Sequence, residues 1–462
     1  MRIPIGLVLA AAVVAVIVVV IGGQLLIQPD VRLLPKASFL LDTITPNADG
    51  ADDITIFTYS LSRNATITMQ FEAADGTVYG FREDQPRIPG DYQVEFSGVV
   101  DGYTLPGEAL QGEILRRLMP NGQYTWTLDA VGEDGASDSW TGVFTIADGA
   151  PTLPELVDFS ISPTVFTPNQ DGIYDRTQIN VYLTKDANLS VYLEDETGVR
   201  LYVPEREEGR KPGEAGRHTY DYEGGVDLGA DPPPDGTYTV YAVAQDAEGQ
   251  VVQQTATLTI ESGGQPLAEI VPQPVGASVV FDTTTYNDTY YSDSDHQGDL
   301  VTPPNDPQAL SLTTITMPVG DLLVFKLTIE NYSEVPLRTT GPEPGTVYQQ
   351  EQRAATLGWL DESGAWRVGI DCDNAVSDYP WRWAIGTRGD NLVEETDPEN
   401  GNTYYYLPAG EQSVIWGAIR MTDLNEARNP QNCWAGLIHE DVEISSVNSH
   451  VGAREIELVA TE

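Results

Sequence analysis

The sequence predicts an all-β fold, with tandem β-sandwich domains following an N-terminal transmembrane helix. Three observations carry that expectation. Apolar and polar residues alternate at period two through much of the chain, one polar turn is spelled twice, and the first residues form a single apolar run.

Across residues 3–27 the only strongly polar side chain is Gln24. About 20 apolar residues suffice to cross the hydrocarbon core of a bilayer. A cleaved signal peptide has a shorter apolar region that ends at a small-x-small site, and no such site closes this run. The reading is a retained signal anchor over residues 1–30, with a removed signal peptide as the alternative. Arg2, the only basic residue before the run, favours a cytoplasmic N-terminus. The expected location is therefore the cell membrane, single-pass, with the C-terminal bulk extracellular.

Alternation defines the strands. Ile67, Met69 and Phe71 alternate with Thr68, Gln70 and Glu72, and Leu189, Val191 and Leu193 alternate with Ser190, Tyr192 and Glu194. Such a pattern sets one side of a strand in a core and the other in water. Asp75-Gly76 and Thr197-Gly198 then supply the turn glycine of a hairpin. Beyond the apolar run, the best short helical pattern is "GEALQGEILRRL" at 107–118.

The repeated turn reads "ITPNADGADD" at 44–53 and "FTPNQDGIYD" at 166–175. Residues 44–79 align without a gap on 166–201, and "NGQYTWTLDAVGEDG" (121–135) aligns with "DGTYTVYAVAQDAEG" (235–249). Each copy spans about a hundred residues, the usual size of a small sandwich. The Pro-Asn-x-Asp-Gly-x-x-Asp opening, the middle strand ending in a glycine turn and the closing Asp/Asn-Gly-x-Tyr-Thr strand resemble the FlgD-type immunoglobulin-like repeat of bacterial cell-surface proteins. The resemblance covers roughly 38–148 and 157–262. It implies immunoglobulin-like sandwiches used as spacer or adhesive modules, without catalysis. The first copy departs from the pattern through a longer middle, "LPGEALQGEILRRLMPNG", which predicts an inserted loop or short helix.

The domains are thus expected at 31–148 and 149–262, followed by a polar linker at 263–311 and a Trp-rich sandwich at 312–462. Prolines in "ADGAPTLPELVD" (147–158) predict a stiff, extended joint. The linker holds an acidic string, Asp293, Asp295 and Asp299. In the last domain Phe325, Leu327 and Ile329 alternate with Lys326, Thr328 and Glu330, and "LPAGEQSVIWGAIRM" (407–421) repeats the turn-then-strand order. This segment is similar to immunoglobulin-like accessory domains of bacterial surface proteins.

Charge narrows the function. The formal net charge is -46, from 70 acidic and 24 basic residues. That field repels phosphate backbones and excludes nucleic acid as a partner, while it attracts cations and solvates the surface. Asn47, Asp49 and Asp53 recur at the same spacing as Asn169, Asp171 and Asp175, so each set could supply oxygen ligands to Ca²⁺. The spacing is not that of an EF-hand loop, and turn chemistry alone explains the same residue types; both readings stand. Cys372 and Cys433, the only cysteines, are expected to form a disulfide, the natural use of a cysteine pair outside the cytosol.

Six of the eight tryptophans lie in the last domain. Trp381 and Trp383 share one face of a strand, which suits a sugar-stacking surface or a sandwich core equally. No His-Glu-x-x-His, Gly-x-Ser-x-Gly or phosphate-loop motif occurs, and these are the patterns that would announce metalloprotease, serine-hydrolase or nucleotide chemistry. The expectation is a membrane-anchored, extracellular, non-catalytic stalk and adhesion or interaction module. Its expected partners are the membrane and a cell-surface protein or polysaccharide, its joints are stiffened by proline, and its recognition surface is acidic. The alternatives are a glycan- or protein-binding module through the Trp-rich domain, and a hydrolase using paired carboxylates.

Overall fold

The computed structural model describes residues 13–14, 16–17, 32–205, 211–273, 276–287, 301–303 and 313–460. Among these residues the strands form six sheets that pair into three sandwiches, so the fold is all-β.

The first sandwich packs the strands Lys36–Phe39, Thr55–Leu61 and Gly90–Phe96 against a sheet ordered Thr43–Ile44, Ser137–Ile146, Gly122–Gly132, Ala65–Ala73 and Val78–Arg87. Strict alternation along Thr55–Leu61 and Ala65–Ala73 turns Phe57, Tyr59, Ile67, Met69 and Phe71 inward. Their aromatic rings interlock, with Phe39 4.5 Å from Phe144 and Phe71 stacked on Phe96 at 4.8 Å. Burial of such side chains contributes about 1.5–3 kcal/mol each before chain entropy is charged against it.

The second sandwich repeats this topology. Leu156–Ser162, Thr177–Leu183 and Gly216–Tyr222 form one layer, and Val165–Phe166, Val251–Ile260, Gly236–Gln245, Asn188–Glu194 and Arg200–Tyr202 form the other in the same order. The closing signature has one role in both copies. Tyr124 donates its phenol proton to Pro120 O at 2.5 Å, and Tyr238 donates to Pro234 O at 2.7 Å, pinning the turn before each strand.

Residues 107–118, read as the best helical pattern, contain the strand Glu113–Leu118. Together with Val99–Asp101 it forms a hairpin that adds to the open edge of Val251–Ile260, with Val251 opposite Arg116 and Val252 opposite Ile114, while its Val99, Val100 and Leu118 pack into the first core. The insertion therefore extends the sheet of the second repeat with strands whose apolar side chains belong to the first. Gln250, fully buried, closes this seam: its Oε1 accepts from Leu118 N at 3.3 Å, and its Nε2 donates to Thr152 O at 3.0 Å and Asp246 Oδ2 at 2.8 Å. At the joint read as stiffened by proline, the two repeats also share this ladder.

The linker is shorter than expected. Ala268–Val271 and Val279–Thr284 are strands, and both pair with Leu322–Asn331 in the third sandwich. The acidic string Asp293, Asp295 and Asp299 lies outside the described residues. The opposing sheet runs Ile315–Pro318, Val451–Val459, Gln431–His439, Trp366–Cys372, Leu337–Thr339, Thr403–Leu407 and Val393–Thr396. Cys372 and Cys433 face each other in register on adjacent strands and form a disulfide with an S–S distance of 2.04 Å.

The expectation of a single-pass membrane protein with an extracellular bulk is corrected. No helix among the described residues is long and apolar enough to cross a membrane. The run read as the anchor lies outside those residues except for Val13, Val14, Val16 and Ile17.

Candidate functional site

Each repeated turn is held by its own carboxylate. In the first copy Asp53 Oδ1 accepts from the main-chain N–H groups of Asn47 and Ala48 at 3.0 and 2.9 Å, and Oδ2 accepts from Gly50 at 2.7 Å. Asn47 Oδ1 takes the N–H of Asp49, and Asp49 Oδ1 takes that of Ala51. In the second copy Asp175 Oδ1 accepts from Asp171 N at 3.0 Å and Oδ2 from Gly172 N at 2.6 Å, while Asn169 and Asp171 repeat the two short bonds. Main-chain N–H groups converging on an anion form a nest, and Asn and Asp satisfy turns in this way. Left-handed residues make the convergence possible: φ is 61°, 87° and 56° at Ala48, Gly50 and Asp52, and 55°, 82° and 54° at Gln170, Gly172 and Tyr174.

The bonds among Asn47, Asp49 and Asp53, and among Asn169, Asp171 and Asp175, are those of the turn reading: Asn47 Oδ1, Asp49 Oδ1 and both Asp53 oxygens accept main-chain N–H groups, and Asn169 Oδ1, Asp171 Oδ1 and both Asp175 oxygens do the same. Among the described residues no group of three or more acidic, histidine or cysteine side chains is placed to hold a metal ion.

The two copies differ in what lies outside the turn. Asp49 is exposed and Asn47 half-buried, whereas their counterparts Asp171 and Asn169 are buried, because the second turn is plugged into the third sandwich. Arg338 donates from Nε to Asp171 O at 2.5 Å and from Nη2 to Ser363 O. Tyr406 donates its phenol proton to Asp171 Oδ2 at 3.1 Å. His439 Nε2 lies 2.7 Å from Gln170 O and must carry the proton, since a carbonyl only accepts. Arg338 and Tyr406 are register partners on adjacent strands, and His439 is the register partner of Trp366, on which its ring stacks at 4.3 Å. Strands of one sheet thus supply these three side chains of the cradle.

Contact is close enough to require glycine. A Cβ added to Gly172 would lie 2.1 Å from Ser363 O, and one added to Gly364 would lie 2.2 Å from the carbonyl carbon of Asp171. The same Cβ on Gly50 meets nothing within 4 Å.

Burial reverses the electrostatics of the two nests. Desolvation pushes Asp53 up, but the N–H groups of Gly50, Asn47, Ala48 and Asp49 outweigh it and leave the carboxyl below its usual range. At Asp175 the same kind of N–H groups lose: desolvation first, then repulsion from Asp171, push the carboxyl up to about 7. Desolvation also raises Asp171, against the Ile173 N–H and the Tyr406 phenol. It lowers His439 to about 4, which keeps the imidazole neutral.

Trp381 and Trp383 do not form a ligand surface. They are 2% and 0% exposed. Trp383 packs edge-on against Phe325 at 4.6 Å and Tyr348 at 4.9 Å, over Gly417, where a Cβ would lie 2.5 Å from the indole. Their indole N–H groups donate to Thr346 O and Gln350 O, so both tips are satisfied inside the sandwich. Trp366 also belongs to this core, together with the disulfide. Glu440, a buried carboxylate nearby, is clamped by Arg367 Nη1 at 3.1 Å and Arg382 Nη1 at 2.6 Å.

The cradle residues Arg338, Tyr406 and His439 escaped the reading of the sequence. They lie far apart in the chain and belong to no local motif. The usable signal was Arg338 itself, a charge inside the fully buried strand Leu337–Thr339.

No protein-family model matches the chain, and no curated protein matches it. Solved structures with partial likeness include a Ca²⁺-stabilized adhesin with which an Antarctic bacterium binds ice, at 12% identity over 91% of this chain and 72% of that one, with a TM-score of 0.20. A tetra-tandem repeat from the extending region of a large adhesion protein shows 10% identity over 91% of this chain and 89% of its own, with a TM-score of 0.17. A two-domain fibronectin type III segment of chicken tenascin shows 12% identity over 48% and 97%, with a TM-score of 0.15. At TM-scores of this size nothing about function passes from those proteins to this chain.

Proposed function

We propose that the chain is a non-catalytic scaffold whose two repeats, of the FlgD-type immunoglobulin-like kind, hold the third sandwich in a fixed orientation and present it for adhesion or interaction. The observation that carries this reading is the pair of joints. One joint is a β-ladder that runs from the insertion of the first repeat into the second. The other is a glycine turn seated among Arg338, Tyr406 and His439. Both joints are built from paired and buried groups, and the titratable side chains Glu440 and His439 are engaged in structural contacts, which supports the reading.

Small-angle X-ray scattering tests the reading. The wild-type profile should fit a single conformation, while Gly112→Ala should loosen the first joint, because its Cβ would lie 2.4 Å from Gln253 O. A wild-type profile that needs an ensemble of domain orientations would overturn the proposal.

A further inference from the structure

The turn of the first repeat carries everything that the cradle touches in the second. The cradle contacts four features: the carbonyls at 170 and 171, one carboxylate oxygen of Asp171, and the bare Cα of Gly172. At the matching positions the first repeat has the carbonyls of Ala48 and Asp49, the Asp49 carboxylate and Gly50. The backbone angles agree within a few degrees, and Asp49 Oδ1 is engaged by Ala51 N just as Asp171 Oδ1 is engaged by Ile173 N. This turn is nonetheless exposed, and Leu40 and Ile54, on the segments entering and leaving it, are 71% and 52% exposed.

We propose that turn 47–53 is a second plug, and that its partner is a β-sandwich domain of another molecule bearing a guanidinium, phenol and imidazole cradle of the Arg338, Tyr406 and His439 kind. The proposal names the contact that an interaction scaffold would make, and rests on the scaffold reading only in that respect. The differences between the copies specify the partner further. Tyr174, which lies beside Asp397 and Glu399, is replaced by Asp52 in the first repeat. The partner's rim is therefore neutral or basic where this cradle is acidic, since like charges at contact distance repel.

The test transplants the plug within the full chain. In an Asp397→Asn, Glu399→Gln background, Gln170→Ala, Ile173→Ala and Tyr174→Asp convert the second turn into the first. Exchange of the His439 Nε2 proton, followed by NMR, reports whether the cradle is filled. The transplanted chain should exchange within about threefold of its background, whereas Gly172→Ala, with its steric clash, should exchange more than about tenfold faster. Exchange in the transplant as fast as in Gly172→Ala would overturn the proposal. It would leave the scattering result for the wild type unaffected, so the two failures are distinguishable.

Discussion

The phenol of Tyr406 donates to Asp171 Oδ2 at 3.1 Å, joining residues 235 apart in the chain across the boundary between two sandwiches. Both groups are buried, so neither can exchange the bond for water without the domains separating. Desolvation and the nearby Asp171 charge raise the phenol far above its usual range, which keeps it a donor at any accessible pH.

Tyr406→Phe removes the donor and leaves a buried carboxylate oxygen unsatisfied. The joint should weaken by about 1–2 kcal/mol, seen as faster hydrogen exchange in segment 168–176. Asp171→Asn should weaken it too, and the double variant should cost less than the sum of the two, because the pair shares one interaction. Strict additivity would mean that the bond does not couple the domains.

Gly50→Ala and Gly172→Ala form a matched pair. Both glycines have left-handed backbones, with φ of 87° and 82°. Alanine should therefore cost about 1 kcal/mol of backbone strain at either site. Only position 172 meets a neighbour, Ser363 O, so only there should overpacking add a further ~1–3 kcal/mol. Urea denaturation should show the second variant clearly less stable than the first. Equal losses would mean that docking contributes nothing.

The matched pair also shows what could be read from the chain. The twofold turn, the glycine hairpins and the period-two strands were legible because each is a local pattern of neighbouring residues. The turn's partner was not, because Arg338, Tyr406 and His439 meet only through strand register. Trp381 and Trp383 illustrate a different limit: alternation places them on one face, but which face is inside depends on Phe325 and Tyr348 from other strands. The strand Glu113–Leu118 read as helical because its apolar spacing also fits a helix, and the edge it completes lies in the next domain.

The joint should respond to pH through two raised carboxyls, Asp175 and Asp171, opposed by the lowered His439, with Arg338, Tyr406 and Glu395 as their charged or titratable surroundings. Asp175 is raised from its ordinary 3.8 to about 7, so its contribution is complete below 3.8 and is lost as pH rises through 7. His439 is lowered from 6.5 to about 4, so its contribution is complete above 6.5 and is lost as pH falls through 4. Between those limits the slopes oppose each other. Asp175→Asn should remove the Asp175 share of the falling limb, so that the stability of the variant relative to wild type increases from pH 4 to 7. His439→Gln should shift relative stability in the opposite sense between pH 6.5 and 4. Urea midpoints that track wild type at every pH in both variants would refute the assignment.

The disulfide supports the third sandwich chiefly through the unfolded chain. Cys372 and Cys433 are separated by 61 residues, and closing a loop of that length lowers the entropy of the unfolded state by an amount worth about 4 kcal/mol. Replacing both cysteines with alanine should lower the stability of this domain by about 2–4 kcal/mol while leaving the plug seated, because neither sulfur touches the cradle. Loss of His439 protection in the double variant under native conditions would contradict that separation.

The seam between the repeats gives the sharpest test of sheet continuity. Gln250 is 0% exposed and bridges Leu118 N, Thr152 O and Asp246 Oδ2, so one side chain satisfies groups from the insertion, the joint and its own strand turn. Gln250→Leu keeps much of the volume but leaves the buried Leu118 N–H without its acceptor, at about 1–3 kcal/mol, while Thr152 O and Asp246 Oδ2 keep the Lys185 ammonium. The sandwiches have separate cores, so each should remain folded while the ladder between Glu113–Leu118 and Val251–Ile260 opens. Leu118 and Leu128 share the first core, but only the Leu118 N–H meets Gln250, so hydrogen exchange at Leu118 should accelerate far more than at Leu128. Uniform acceleration at both would show that the two repeats unfold as a single unit, and an unchanged Leu118 would show that the ladder does not need its glutamine.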